Sequence, residues 1–249
     1  MVLSELLHLR KEGKKEIAVL IDPDEFGSKT STIVSLAKQY NLNLFLVGGS
    51  LVSEGNTQAC VRSLKKSDAG TVVLFPGNEM QLCPEADALL FMSLISGRNP
   101  EFLISKQVAA APWVKKSGLE SIPTGYMLVE SGKLTSANYM SNTIPLPNDK
   151  PDITAATAMA GELLGLKVLY LDAGSGAQAP VPPKLIAACK KNTNCPIIVG
   201  GGLKKAEDIL MAWESGADIT VVGNGIFEDT QILKELGEVK AYYHQKITL

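Results

Sequence analysis

The sequence of 249 residues predicts a single (β/α)8 barrel of the TIM type, an α/β fold, modified by a weak or missing third helix. Three observations point to it. Eight short runs rich in Val, Ile and Leu recur along the chain, longer amphipathic segments separate most of them, and several end directly in Gly-, Asp- or Asn-rich punctuation. Eight such runs fit a closed barrel better than an open sheet of five or six strands. Hydrophobic residues make up 45% of the chain against 20% charged, ample for a core. No composition shift or repeat divides the chain, so residues 1–249 are expected to form one domain.

The first strand is expected at 16–21, running into Asp22-Pro23-Asp24, with its helix at 29–40. The second, 44–47, ends in Gly48-Gly49-Ser50 and precedes a helix at 57–66. The third, 71–75, ends in Pro76-Gly77-Asn78, and residues 78–87, with Pro84 among them, scarcely hold a crossover helix. The fourth strand, 88–92, is followed by a helix at 100–116. The fifth, 122–129, opens into a polar stretch, 130–150, whose length suits a lid or binding loop, before a helix at 153–164. The sixth, 168–171, leads into Asp172-Ala173-Gly174-Ser175-Gly176 and a helix at 182–191. The seventh, 196–199, leads into Gly200-Gly201-Gly202 and a helix at 204–214. The eighth, 219–222, leads into Gly223-Asn224-Gly225 and a helix at 230–243.

Charge and residue usage exclude several functions. Lys and Arg number 24 against 26 Asp and Glu, so no chain-wide basic field exists for nucleic acid or an acidic bilayer. The two histidines, His8 and His244, lie near the ends, leaving no central His for a Ser-His-Asp relay or a multi-His zinc site. Four cysteines, Cys60, Cys83, Cys189 and Cys195, form no CxxC pair and read as ordinary thiols. The first residues interrupt their leucines with charges, no run of about 18 apolar residues occurs, and a cytoplasmic protein is expected.

Barrel active sites form at the C-terminal strand ends. After the sixth, seventh and eighth strands, three glycine clusters lie where loop amides and helix N-termini converge on an oxyanion, so a phosphate ligand is expected there. Tight-turn chemistry alone would also explain any one cluster. At the first strand end, Asp22 and Asp24 flank Pro23, and Ser50 ends the neighbouring strand. These oxygens suit a hard divalent cation, while capping of the following helix by Asp24 accounts for that residue equally well.

With these residues in place the chain resembles the geranylgeranylglyceryl phosphate synthase family, including its bacterial heptaprenylglyceryl phosphate synthase relatives. The likeness spans nearly the whole chain. It is carried by Leu20-Ile21-Asp22-Pro23-Asp24, Val47-Gly48-Gly49-Ser50, Phe75-Pro76-Gly77, Ser96-Gly97-Arg98-Asn99-Pro100, Pro123-Thr124-Gly125-Tyr126 and Ser141-Asn142-Thr143. It continues through Tyr170-Leu171-Asp172-Ala173-Gly174-Ser175-Gly176, Gly200-Gly201-Gly202 and Val221-Val222-Gly223-Asn224. The Ala-Gly-Ser-Gly form of the sixth loop places the likeness with the family's larger subgroup.

The resemblance implies transfer of a prenyl group, geranylgeranyl by preference, from its diphosphate to the C3 hydroxyl of sn-glycerol 1-phosphate in ether-lipid synthesis. It implies Mg2+ held by Asp22 and Ser50, with Asp22 and Asp172 catalytic and Asp24 beside them. Tyr170, Leu171, Asp172, Ala173, Gly174, Ser175, Gly176, Gly201, Gly202, Gly223 and Asn224 would hold glycerol 1-phosphate, chiefly through backbone amides. A homo-oligomer, dimer or hexamer, is implied as well. The prenyl tail is expected among the lower-numbered strands and residues 102–114, where Phe102 and Trp113 are candidates to limit its length. One residue departs from the family: Asp172 stands where Glu is usual, which keeps the carboxylate and shortens its reach. An isomerase or epimerase acting on a phosphorylated metabolite, and a non-catalytic phosphate-binding barrel, are the rival expectations.

Overall fold

The computed structural model of the protein describes residues 1–27, 29–223 and 225–248. Eight parallel strands close in sequence order into a barrel. They are β1 (Glu16–Ile21), β2 (Leu44–Val47), β3 (Thr71–Leu74), β4 (Ala88–Leu94), β5 (Glu120–Leu128), β6 (Val168–Asp172), β7 (Ile197–Gly200) and β8 (Ile219–Val222). Closure comes from β8 returning to β1, with Glu16 opposite Ile219 and Val19 opposite Val222. Every expected strand is present, with ends shifted by at most two residues.

Side-chain alternation builds two cores. Ala18, Leu44, Leu46, Val73, Leu90 and Ile198 fill the barrel interior. Their neighbours Ile17, Val19, Phe45, Val47, Val72 and Ile197 face outward against the helices. These helices are α2 (Thr30–Gln39), α3 (Thr57–Lys66), α4 (Lys106–Ser117), α6 (Pro151–Leu163), α7 (Pro183–Asn192), α8 (Ala206–Glu214) and α10 (Ile232–Thr248). A π-helical turn, Glu101–Ser105, leads into α4. After β3 there is only a 3-10 turn, Glu79–Gln81, which agrees with the weak crossover expected there.

Three helices were not expected from the sequence. The first, α1 (Val2–Glu12), closes the barrel at the N-terminal strand ends. Val2 and Leu6 enter the interior core, and the backbone amides of Val2 and Leu3 donate to the Glu120 carboxylate at 2.8 and 3.0 Å. That carboxylate supplies the cap that Met1 cannot. The second, α5 (Ser136–Ser141), gives structure to the polar stretch after β5. Thr135 and Asn138 form its capping box. The third is the short α9 (Gly225–Glu228), after β8. Among the described residues no helix is long and apolar enough to cross a membrane.

Candidate active site

A cavity of about 750 Å³ opens at the C-terminal ends of the strands. Its floor is aromatic: Phe75 stacks on Tyr170 at 5.0 Å between ring centroids, and Tyr126 meets both edge-on at 5.8 and 5.4 Å. Gly200 has no side chain because a Cβ there would lie 2.5 Å from the Tyr170 hydroxyl.

The glycine clusters expected to hold a phosphate meet on one wall. Gly174, Ser175, Gly176, Gly201, Gly202 and Gly223 all line the cavity, together with Tyr170 and Asp172. Asn224 lies outside the described residues. The side chains of Leu171 and Ala173 pack outward in the helix-facing core, so any contact these two residues make with a ligand is through the backbone. The amide of Ala173 is also spent, donating to the Gly200 carbonyl at 3.0 Å. Alternation is the reason: in a strand ending at Asp172, Tyr170 and Asp172 point inward and their neighbours cannot.

Asp172 is 7% exposed and accepts two hydrogen bonds. The Tyr126 hydroxyl donates to Oδ2 at 2.5 Å and the Gly174 amide donates to Oδ1 at 2.7 Å. Burial pushes its pKa above the ordinary 3.8, opposed by these two donors. Gly201 has φ of 79°, and a Cβ there would sit 2.7 Å from Oδ1, so only glycine leaves the carboxylate room.

Asp22 and Ser50 line the opposite side. Asp22 Oδ1 accepts from the Asp24 amide at 3.0 Å, and a Cβ on Gly49 would lie 2.7 Å from Oδ2, so the glycine keeps space open beside that oxygen. Burial raises the pKa of Asp22, opposed by the hydrogen bond from the Asp24 amide, and no cationic side chain among the described residues offsets it. A half-buried carboxylate with an open flank suits a divalent cation. Among the described residues no group of three His, Cys, Asp or Glu side chains forms a metal cluster, so the remaining ligands of such an ion would be hydroxyl, backbone and substrate oxygens.

Asp24 does something else. Its carboxylate accepts from the amides of Ser53, Glu54 and Gly55 and from the Ser53 hydroxyl, binding the loop after β2 just ahead of α3. Among the described residues its carboxylate bonds only Ser53, Glu54 and Gly55, so it does not cap the following helix α2, whose N-cap position is Lys29, and makes no bond to Ser50. These donors lower its pKa from 3.8 to about 2. The latch is therefore intact above about 3.8 and is lost as pH falls through about 2. In an NMR titration, the Ser53, Glu54 and Gly55 amide shifts are expected to move together with a midpoint near 2. A midpoint at the ordinary carboxylate value would show that the latch does not form.

Gln81 was missed by sequence analysis. It is 2% exposed, and its amide group donates to the Gly49 carbonyl at 2.9 Å while accepting from the Gly49 and Gly77 amides at 3.2 Å each. It joins the loops after β2 and β3 where a crossover helix would otherwise support them. No local signal marks a lone Gln in a 3-10 turn.

The cavity continues away from the glycine wall as an apolar groove. It is lined by inward-facing Leu90 and Met92 and by outward-facing Leu89 and Phe91, so it passes over β4 into the space left by the absent helix. Leu82, Phe102, Ala110 and Met140 extend it. Trp113, 37% exposed on α4, does not line it. At the mouth, Lys106 pairs with Glu79 at 3.6 Å and Glu101 at 3.8 Å and lies over the Phe102 ring.

The comparisons with known proteins agree with this geometry. The pattern of the PcrB family matches residues 10–240. The geranylgeranylglyceryl phosphate synthase of Spirosoma linguale is 48% identical over 94% of this chain and 95% of its own. That of Korarchaeum cryptofilum is 40% identical over 93% of this chain and 96% of its own. The crystal structure of (S)-3-O-geranylgeranylglyceryl phosphate synthase from Thermoplasma acidophilum, in complex with its substrate sn-glycerol-1-phosphate, superposes with a TM-score of 0.88. It is 26% identical, with 97% of each chain covered.

Proposed function

The chain belongs to the PcrB family, that of the geranylgeranylglyceryl phosphate synthases, and on that premise we propose that it transfers a prenyl group, geranylgeranyl by preference, from its diphosphate to the C3 hydroxyl of sn-glycerol 1-phosphate. The observation that carries this is one continuous cavity with a glycine-lined anion wall at one end, an apolar groove at the other, and Asp22 and Asp172 between them. A phosphorylated acceptor and a long hydrocarbon donor each find the surface their chemistry needs.

In this reading Gly174, Ser175, Gly176, Gly201, Gly202 and Gly223 surround the glycerol phosphate, and Tyr170 forms the floor below it. Asp172 accepts the C3 hydroxyl, aims its oxygen at C1 of the prenyl chain and takes its proton as the new ether bond forms. The groove between β4 and α4 holds the tail and excludes water from the allylic cation. Asp22 and Ser50 would hold Mg2+, which when bound supplies positive charge against the diphosphate leaving group. We place the enzyme in the cytoplasm as a homo-oligomer.

The test is incubation with labelled sn-glycerol 1-phosphate, Mg2+ and prenyl diphosphates of graded length, followed by extraction of label into organic solvent. Metal-dependent extraction supports the assignment. No transfer at any length, with glycerol 1-phosphate still bound, would turn the assignment to a binding protein.

Asp172→Asn is expected to lower kcat by about a hundredfold, the usual contribution of a placed general base. Because burial raises the Asp172 pKa, the fold favours the protonated form, and the ionised carboxylate costs stability at higher pH. The variant should therefore lose turnover without losing thermal stability. A matching fall in Tm would mark Asp172 as structural.

A further inference from the structure

We infer that Tyr126 is a positioning residue of the transfer reaction: its hydroxyl holds the Asp172 carboxylate in the orientation that meets the glycerol hydroxyl. The inference rests on the prenyl transfer proposed above and deepens it by naming what aims the shorter carboxylate.

The two donors to Asp172 come from different segments and reach different oxygens. Tyr126 comes from β5, across the register in which it faces Tyr170 and Leu128 faces Asp172. Gly174 comes from the loop after β6. A carboxylate held at both oxygens cannot rotate, and because Asp172 lines the cavity, the lone pairs left over are those available to a substrate hydroxyl. The phenol is itself immobilised. Its ring meets Phe75 at 70° and Tyr170 at 86°, and the Tyr170 hydroxyl occupies the space of the side chain that Gly200 lacks.

Tyr126 acts as a donor and not as a base, because burial and the adjacent carboxylate push its pKa well above 10.0. The titratable groups coupled to Asp172 are Tyr126 from β5 and Tyr170 on its own strand. Asp22, Glu79, Lys106, Lys204, Glu228, Asp229 and Glu235 are charged groups of other segments lining the same cavity.

Tyr126→Phe removes one hydroxyl and keeps the aromatic cluster. We expect kcat to fall by about 10- to 100-fold, the range for a lost hydrogen bond to a charged group, with KM for glycerol 1-phosphate changed less than about twofold. The acid limb of kcat should move to higher pH, since a donor favouring the ionised form is gone. Combined with Asp172→Asn, the double variant should be no slower than Asp172→Asn alone. A kcat within about twofold of the parent with an unmoved acid limb would overturn the inference, as would two losses that multiply.

The coupling is also read without turnover, so failure of the prenyl-transfer assignment stays distinguishable. Tyr126→Phe should change the pH dependence of Tm in the parent and leave it unchanged in the Asp172→Asn background. Equal changes in both backgrounds would show that the phenol acts on the fold independently of the carboxylate.

Discussion

Replacing Asp22 by Ala is expected to lower kcat by about a thousandfold while leaving the protein folded. The carboxylate lies in the cavity wall and accepts a hydrogen bond from the amide of Asp24 as its one bond among the described residues, and Gly49 leaves its outer oxygen uncovered. A carboxylate placed this way contributes little to the fold that a short side chain would forfeit. In the proposed transfer its value would lie in the charge it brings to the diphosphate through a cation, and preorganised electrostatic stabilisation of a departing group is commonly worth two to three orders of magnitude, about 10²–10³. Turnover is measured at saturating prenyl diphosphate while Mg2+ is varied. Asp22→Ala should need far more metal for half-maximal rate, and Asp22→Asn, which keeps the shape, should fail nearly as badly. A loss below about tenfold, or a metal requirement that does not move, would remove Asp22 from the proposed role.

The distribution of what was legible in the sequence follows from interaction range. Strands with β-branched runs and glycine punctuation are local patterns, and all eight appear with only their ends displaced. The weak crossover after β3 was legible for the same reason, because too few residues span it. The errors lie where the deciding partner is distant. The helix α1 reads as a charged leucine segment until Glu120 is seen to cap it and the barrel floor to accept Val2 and Leu6. Asp24 looks like a helix cap until residues 53–55 fold back on it. Tyr126 stood inside a motif that carried the family resemblance, yet nothing local ties it to Asp172, 46 residues away. The outward packing of Leu171 and Ala173 is of another kind. The two-residue period of a strand ending at Asp172 already separates them from Tyr170 and Asp172, so that signal was present in the sequence.

The same distance argument applies at the opposite end of the barrel, where Asp218 is fully buried. It gathers Arg10 at 3.0 Å, Lys15 at 3.4 Å and Lys190 at 3.5 Å, and accepts the Ile197 amide at 2.9 Å. Arg10 and Lys15 also donate to the carbonyls of Thr193 and Ala217, so the cluster ties the helix α1, the start of β1 and the loops before β7 and β8 together. Asp218→Ala is expected to destabilise the protein by about 3–5 kcal/mol, the usual result of removing one member of a buried ion pair and leaving its partners uncompensated. Urea unfolding measures it. The pH dependence separates this from simple loss of packing. Burial already lowers the pKa of Lys15 below 10.5, while Asp218 raises it, so without Asp218 it falls further. Since the unfolded chain then binds the proton more tightly than the fold does, stability of the variant should rise as pH climbs through the lowered value towards the unfolded one. The deficit narrows without closing, because Arg10 keeps its charge. Catalysis per folded molecule should be unchanged, since the cluster lies at the N-terminal strand ends and the cavity at the C-terminal ones. A deficit below about 1 kcal/mol, or one independent of pH, would show that the three cations do not depend on this carboxylate.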